Sequence, residues 1–276
     1  MRTPIWNAAL ARAAAVVVAV FGLIVFPATG QAPTTYKAPR SPFKDGHPDL
    51  NGIWEANNSA NWDIQAHAAR PGPLPELGAA FSVPAGLGVV EGNEIPYQAW
   101  AATKKKENAA NWVKLDPEVK CYMPGVPRAT YMPYPFQIVQ TPAHVLMAYE
   151  FAGAARTIYM NSKEESPADT WMGWSRGHWE GDTLVVDVTS FNDQTWFDRA
   201  GNFHSDALHV VERYTPVSHD VLQYEATIED SKVFTRPWKV SMPLYRRVEK
   251  NAQLLEYKCV EFTEELLYGN LRKKNK

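Results

Sequence analysis

Most of the short signatures that announce a catalytic class are missing from this chain. It has no G-x-S-x-G elbow, phosphate-binding loop, dinucleotide-binding glycine fingerprint, H-E-x-x-H or haem-attachment motif. The common hydrolase and cofactor-dependent classes therefore have no direct support, and no cofactor is called for. Cysteine is scarce: only Cys121 and Cys259 occur, and the absence of C-x-x-C gives no redox-active motif. Charge of one sign is lacking too. The formal net charge is −2, and Lys104-Lys105-Lys106 and Arg272-Lys273-Lys274 are short runs that read as solvated faces. Nucleic acid is thus not an expected partner, since its binding needs a concentrated basic surface.

A membrane-spanning run is also missing. The longest apolar stretch, Ala13 to Phe26, ends at Pro27 and is shorter than the roughly 20 apolar residues that cross a bilayer. Arg2 and Arg12 precede it, and the small residues Ala28-Thr29-Gly30 follow. A positive start, a short apolar core and a small-x-small site read as a secretory signal over residues 1–30, cleaved before Gln31. The expected location is periplasmic or secreted, with no integral membrane span after cleavage. No cysteine near the site could carry a lipid. In that oxidising setting the two cysteines are expected to form one disulfide, Cys121–Cys259, tying the segment before the barrel to its last strand.

What the chain has in quantity is aromatic side chains: ten Trp, twelve Tyr and eleven Phe. They suit a β-rich protein with a large core or an aromatic-lined cavity. Residues 31–48, rich in Pro, Lys and Ser, read as an extended lead-in. A single β-barrel domain is expected over 49–262, followed by a basic tail at 263–276. Asp49 to Glu55 reads as the first strand, and 56–135 as an irregular, partly helical insertion. Within it, Asn93 is placed to cap a helix with Pro96 in its first turn, continuing through AWAATKKKENAANW, with Tyr97, Trp100 and Ala101 as its apolar stripe.

From Phe136 onward the runs FQIVQ, HVLMAYEF, ARTIYM, GWSRGHWE, TLVVDVTSF, LHVVERYT, VLQYEATIE, WKVSMPLYRR and QLLEYKCVEF are rich in β-branched and aromatic residues and are mostly separated by short turns. Glu180-Gly181-Asp182 reads as a hairpin turn. No helical pattern intervenes, so parallel βαβ units are not expected. A long succession of hairpin-linked strands leaves exposed edges unless the sheet closes. The expected fold is mainly β, an antiparallel meander forming a barrel or a strongly curved sheet.

Gly52-Ile53-Trp54, ahead of that meander, is similar to the G-x-W signature of lipocalin-like (calycin-type) barrels. The insertion at 56–135 departs from that pattern. CYMPGVPRATYMPYPFQIVQTP, WMGWSRGHWEGDTLVVDVTSF and HSDALHVVERY resemble a group of uncharacterised exported proteins of environmental bacteria. The resemblance covers Asp49 to about Lys274 and implies a shared barrel fold, but no activity.

The segment Phe191 to Asp206 is the richest in chemistry. It joins two strong strands through Asn192, Asp193, Trp196, Phe197 and His204, and a connection of that length is often functional. If the following strand begins by His204, then His204, Asp206 and Glu212 share one face, and His209 lies opposite with Arg213. His204 with Asp206 forms a coherent acid–base pair, assisted by His178 or Arg176. A metal shared by His204, Asp206 and His209 would need a bulge, or a loop that persists through Asp206, so none is assigned. By the same alternation Asp187 points away from Leu184, Val186 and Val188. Tyr131 and Tyr134, stiffened by neighbouring prolines and accompanied by Arg128, form a lid-like segment.

Three functions compete. The first is binding of a small apolar or aromatic molecule, with Trp196, Phe197, Asn192, Asp193, Arg128, Tyr131, Tyr134 and His209 as lining residues. The second is a cofactor-independent lyase, isomerase or hydratase built on His204, Asp206, His178 and Arg176. The third is an envelope interaction module contacting a partner through its lead-in and tail. Oligomeric state and ligand identity are not readable from the residues.

Overall fold

The computed structural model describes residues 36–72, 82–257 and 259–260. The expected signal segment and basic tail, and the start of the lead-in, lie outside them. The described residues carry nine strands: β1 Gly52–Glu55, β2 Phe136–Gln140, β3 His144–Tyr149, β4 Ala155–Met160, β5 Trp174–Glu180, β6 Thr183–Thr189, β7 His209–Ser218, β8 Val221–Glu229 and β9 Trp238–Arg246. They form a closed barrel in sequence order. The mainly β barrel is therefore as expected.

The pairing departs from a pure antiparallel meander in one place. A ring of nine strands cannot alternate direction all the way round, so one neighbouring pair must run the same way. That pair is β4–β5, parallel over Ile158↔Ser175 to Met160↔Gly177. A parallel pair needs a crossover instead of a hairpin, so residues 161–173 run back before β5 begins. The ring closes antiparallel between β1 and β9 through Trp54↔Arg246 and Glu55↔Tyr245. These two joins involve three and two residue pairs, against eight between β8 and β9.

β1 explains its own sequence. Trp54 is buried, its indole N–H donating to the Leu50 carbonyl at 3.0 Å. The Arg246 guanidinium lies over the Trp54 ring at 4.2 Å and donates to the Asn51 carbonyl at 2.5 Å. A Cβ at Gly52 would overlap that guanidinium, and Gly52 has φ +148°. Glycine thus lets the last strand's arginine pass and close the barrel.

Period-two alternation places the core. Leu222, Tyr224, Ala226 and Ile228 of β8 point inward, as do Val210, Glu212 and Tyr214 of β7 and Leu184, Val186 and Val188 of β6. Asp187 points outward, as the valine stripe implied. The interior also holds one ion pair. Arg156 of β4 donates to the two carboxylate oxygens of Glu212 at 2.6 and 3.0 Å. Tyr214 and Tyr224 hydroxyls donate to Glu212 at 2.9 and 2.8 Å, and Arg156 donates to the Tyr149 and Tyr214 oxygens at 3.1 and 3.0 Å. Every charged atom of the pair is hydrogen-bonded, which is what a buried pair requires. Burial raises all three phenols, so they stay protonated as donors. Burial disfavours the Arg156 charge, but Glu212 outweighs it and holds the guanidinium well above its ordinary value.

The segment before β2 has helices α1 Ala99–Ala110, α2 Trp112–Leu115 and α3 Arg128–Tyr131. The first starts later than expected. Pro96 and Tyr97 are extended beside the β8–β9 connection, the Pro96 carbonyl accepting from the Thr235 backbone at 2.8 Å and Tyr97 bridging Phe234. Asn93 caps no helix; its side chain accepts from the Ala66 N–H at 2.6 Å. The run around QLLEYKCVEF forms no strand over its described residues. The disulfide Cys121–Cys259 is present, with Cα atoms 5.5 Å apart, but it ties the insertion to a non-strand segment beyond β9.

Cross-linking residues 138 apart restricts the unfolded chain. Reduction, or Cys259→Ser, is expected to lower stability by about 2–4 kcal/mol, read from urea unfolding with and without reductant. Glu212→Gln is expected to cost about 3–5 kcal/mol by stranding Arg156, whereas the double change Arg156→Met with Glu212→Leu should cost less. Equal losses in the two would show that the pair's charges are not balanced against each other.

Candidate functional site

The expected site residues are not gathered at one place: Phe197 meets His204 and Tyr131, Arg176 and His209 share Asp187, and the rest lie apart. His204 is buried beside Phe191 and Phe197. Its Nε2 meets the Thr195 hydroxyl at 2.5 Å and its Nδ1 the Ser205 carbonyl at 2.8 Å. Burial holds its pKa below the ordinary histidine value. Asp206 instead faces outward and pairs with Lys232 at 2.6 Å. The parity argument for these two does not apply, because β7 begins only at His209. His204 and Asp206 have other partners and make no acid–base pair here.

Arg176, Asp187, His209 and Glu229 form a ladder on the outer face of β5 to β8. Arg176 donates to Asp187 at 3.0 Å, and the His209 ring nitrogens stand 2.9 Å from Asp187 and 3.3 Å from Glu229. His178 lies further along β5, exposed and 3.2 Å from Glu180, which also pairs with Arg213 at 2.9 Å. Partial burial works against charging His209, but Asp187 and Glu229 outweigh it and raise its pKa. Among the described residues no group of three His, Cys, Asp or Glu is placed to hold a metal ion.

The other lining candidates are scattered as well. Arg128 is buried in a bidentate pair with Asp116 at 2.8 and 2.9 Å and donates to Asn61 at 2.9 Å. Glu118 joins this group by accepting from Arg199 at 2.8 and 3.1 Å. Arg199 lies between Trp62 and Trp112, 4.6 and 4.9 Å from their ring centres. Tyr131 is buried and donates to the Phe197 carbonyl at 2.8 Å. Tyr134 packs on Phe151 and Tyr257. Phe197 is core, Trp196 is partly buried against it, Asn192 is half-buried and Asp193 is exposed. The connection is tied down from within: its Asp198 accepts from Ile64 and Asn202. Burial, reinforced by Asp63, pushes Asp198 up to about 7.

The clefts among the described residues lie elsewhere. One, of ≈ 530 Å³, opens beside β9 where the chain leaves β1, lined by Asn58, Asp63, Leu87 and Met242 among others. Another, of ≈ 400 Å³, opens beside the parallel β4–β5 join. Its walls are Met123, Tyr159, Trp171, Met172 and Trp174, and its floor includes Arg156 and Ser175. Tyr159 and Trp174 stack at 4.6 Å, and Tyr122 leans on Trp171 at 5.3 Å. Gly173 makes the close approach possible: a Cβ there would press into Val188 and the Phe191 ring, and its φ is +68°.

No protein-family model matches the chain, and no curated protein is significantly similar to it. The site therefore has to be read from its own chemistry.

Sequence reasoning missed this cleft although WMGW was in plain view. The signal was there in two tryptophans and a methionine next to a strand start, but the strand run GWSRGHWE takes in only Trp174, and Trp171 and Met172 enter only the string that carries the resemblance. Among the described residues no helix is long and apolar enough to cross a membrane.

The outer ladder generates a pH prediction. Because the folded-state pKa of His209 lies above its ordinary value of 6.5, its stabilisation is fully present below that value. It is lost as pH rises through the folded value. NMR titration of the imidazole should give a midpoint above 6.5 in the wild type, and Asp187→Asn should bring it down towards 6.5. An unchanged midpoint in the variant would show that the ladder does not set it.

Proposed function

We propose that this is an exported, lipocalin-like barrel protein that binds a small, mostly apolar or aromatic molecule at the β4–β5 cleft. The observation that carries the reading is the lining: two tryptophans, a tyrosine and two methionines around a cleft of ≈ 400 Å³. Apolar and aromatic walls with few polar groups are the usual makeup of small-molecule sites. Methionine sulfur adapts to ring edges of varied shape. Met123 at 41% exposure and Tyr122 at 40% stand beside the opening, an arrangement that favours a ligand covering them.

The lipocalin-like part of the reading rests on Gly52-Ile53-Trp54 in β1 and on Arg246 packed over Trp54 at the closure. Export rests on the leading residues 1–30 and agrees with the disulfide, which persists in oxidising compartments. A site in the wall and not in the lumen is supported by the inward side chains, which pack on one another. An acid–base function at His204 is not carried forward, since both of its ring nitrogens are engaged.

Calorimetry and thermal shifts with neutral aromatic molecules test the reading. At least one is expected to bind more tightly than millimolar, and Trp171→Ala or Trp174→Ala should each weaken it about fivefold or more. Affinity unchanged in both variants would place the ligand elsewhere.

A further inference from the structure

The floor of the cleft carries more chemistry than its walls, and its donors can be accounted for one by one. A guanidinium has five N–H groups. In Arg156, Nε donates to the Tyr149 oxygen at 3.1 Å. Nη1 donates to Glu212 at 2.6 Å and to the Ser175 hydroxyl oxygen at 3.4 Å. Nη2 donates to Glu212 at 3.0 Å and to the Tyr214 oxygen at 3.0 Å. All five are engaged, and the Glu212 carboxylate matches the charge. An anionic ligand entering the cleft would shed its water and find no free donor on this arginine, which is costly.

Ser175 is different. It is 1% exposed and its oxygen receives the Arg156 contact. Among the described residues its own hydroxyl proton meets no acceptor. A hydroxyl that accepts from a cation is polarised into a better donor. An unspent buried donor at the bottom of an aromatic cleft calls for one acceptor oxygen on the ligand.

Resting on the cleft reading above, we infer that the ligand is a neutral planar aromatic carrying a carbonyl oxygen, an aryl ketone or quinone-type molecule. The carbonyl accepts from the Ser175 hydroxyl, and the ring lies among Trp171, Trp174 and Tyr159. Ser175 sets the specificity for the carbonyl, and the paired Arg156 rejects carboxylates.

Three probes of one ring size separate the claims: 2-acetylnaphthalene, 2-ethylnaphthalene and 2-naphthoate, measured by calorimetry on the full disulfide-bonded protein. The ketone is expected to bind about fivefold more tightly than the hydrocarbon, the worth of one hydrogen bond to a neutral acceptor. The carboxylate should bind least. In Ser175→Ala the ketone's advantage should fall to about one while the hydrocarbon's affinity stays as in the wild type. If none of the three binds, the cleft reading itself fails. If ketone and hydrocarbon bind the wild type equally, or the carboxylate binds best, this inference fails and the cleft reading stands. A ketone advantage that survives in Ser175→Ala overturns the role of Ser175. The wild-type comparison decides the ligand class even if the variant does not fold.

Discussion

A closed ring with an odd number of strands must include two neighbours that run in the same direction, and here β4 and β5 meet that requirement. The consequence is topological before it is energetic. β4 ends at Met160, and the chain has to travel back before β5 can start at Trp174. The returning segment brings Trp171 and Met172 to the cleft. Only three residue pairs hold the join, so hydrogen bonding stops short of Ala155 to Thr157. The wall opens there, and the bulky side chains of the returning segment flank the opening.

Behind that opening the barrel is neither hollow nor uniformly apolar. Arg156 and Glu212 neutralise each other inside, and three tyrosines with raised pKa values satisfy the remaining lone pairs and protons. Such a pair is weak evidence for net stability, because removing two charges from water costs nearly as much as their attraction returns. What it imposes is selection among packings: Arg156 has to face Glu212 across the barrel, which fixes how β4 sits relative to β7. A second charged group outside the barrel binds the long insertion to the rest. Arg128, Asp116, Glu118 and Arg199 link residues around 61, 116 and 199, and the disulfide adds a covalent tie beside Met123 at the cleft.

Much of the barrel was legible in the residues. Eight of the strand runs stand where their β-branched and aromatic composition and the turns between them put them, and the turn at Glu180 to Asp182 separates β5 from β6. The inward stripe of β6 and the outward Asp187 follow from period-two alternation. The ninth run, QLLEYKCVEF, looked like a strand because its composition is right; β1 had already taken the place beside β9 that it would have needed. The helix start was misplaced because Pro96 and Tyr97 had a tertiary partner at Phe234 and Thr235 that no local signal reveals. His204 and Asp206 were assigned by parity to a strand that begins at His209, so a shift of five residues dissolved the pair.

The sequence by itself determined the alternation of buried and exposed side chains, the abundance of aromatic surface and the bridgeable cysteine pair. Each of these is local, or needs only composition. Tertiary structure decided which polar residues meet. Arg156 and Glu212 are 56 positions apart and became partners only when the ring closed. The same closure forced one parallel join, and that join made the cleft, because strand direction around a ring is a property of the whole circuit and of no single segment.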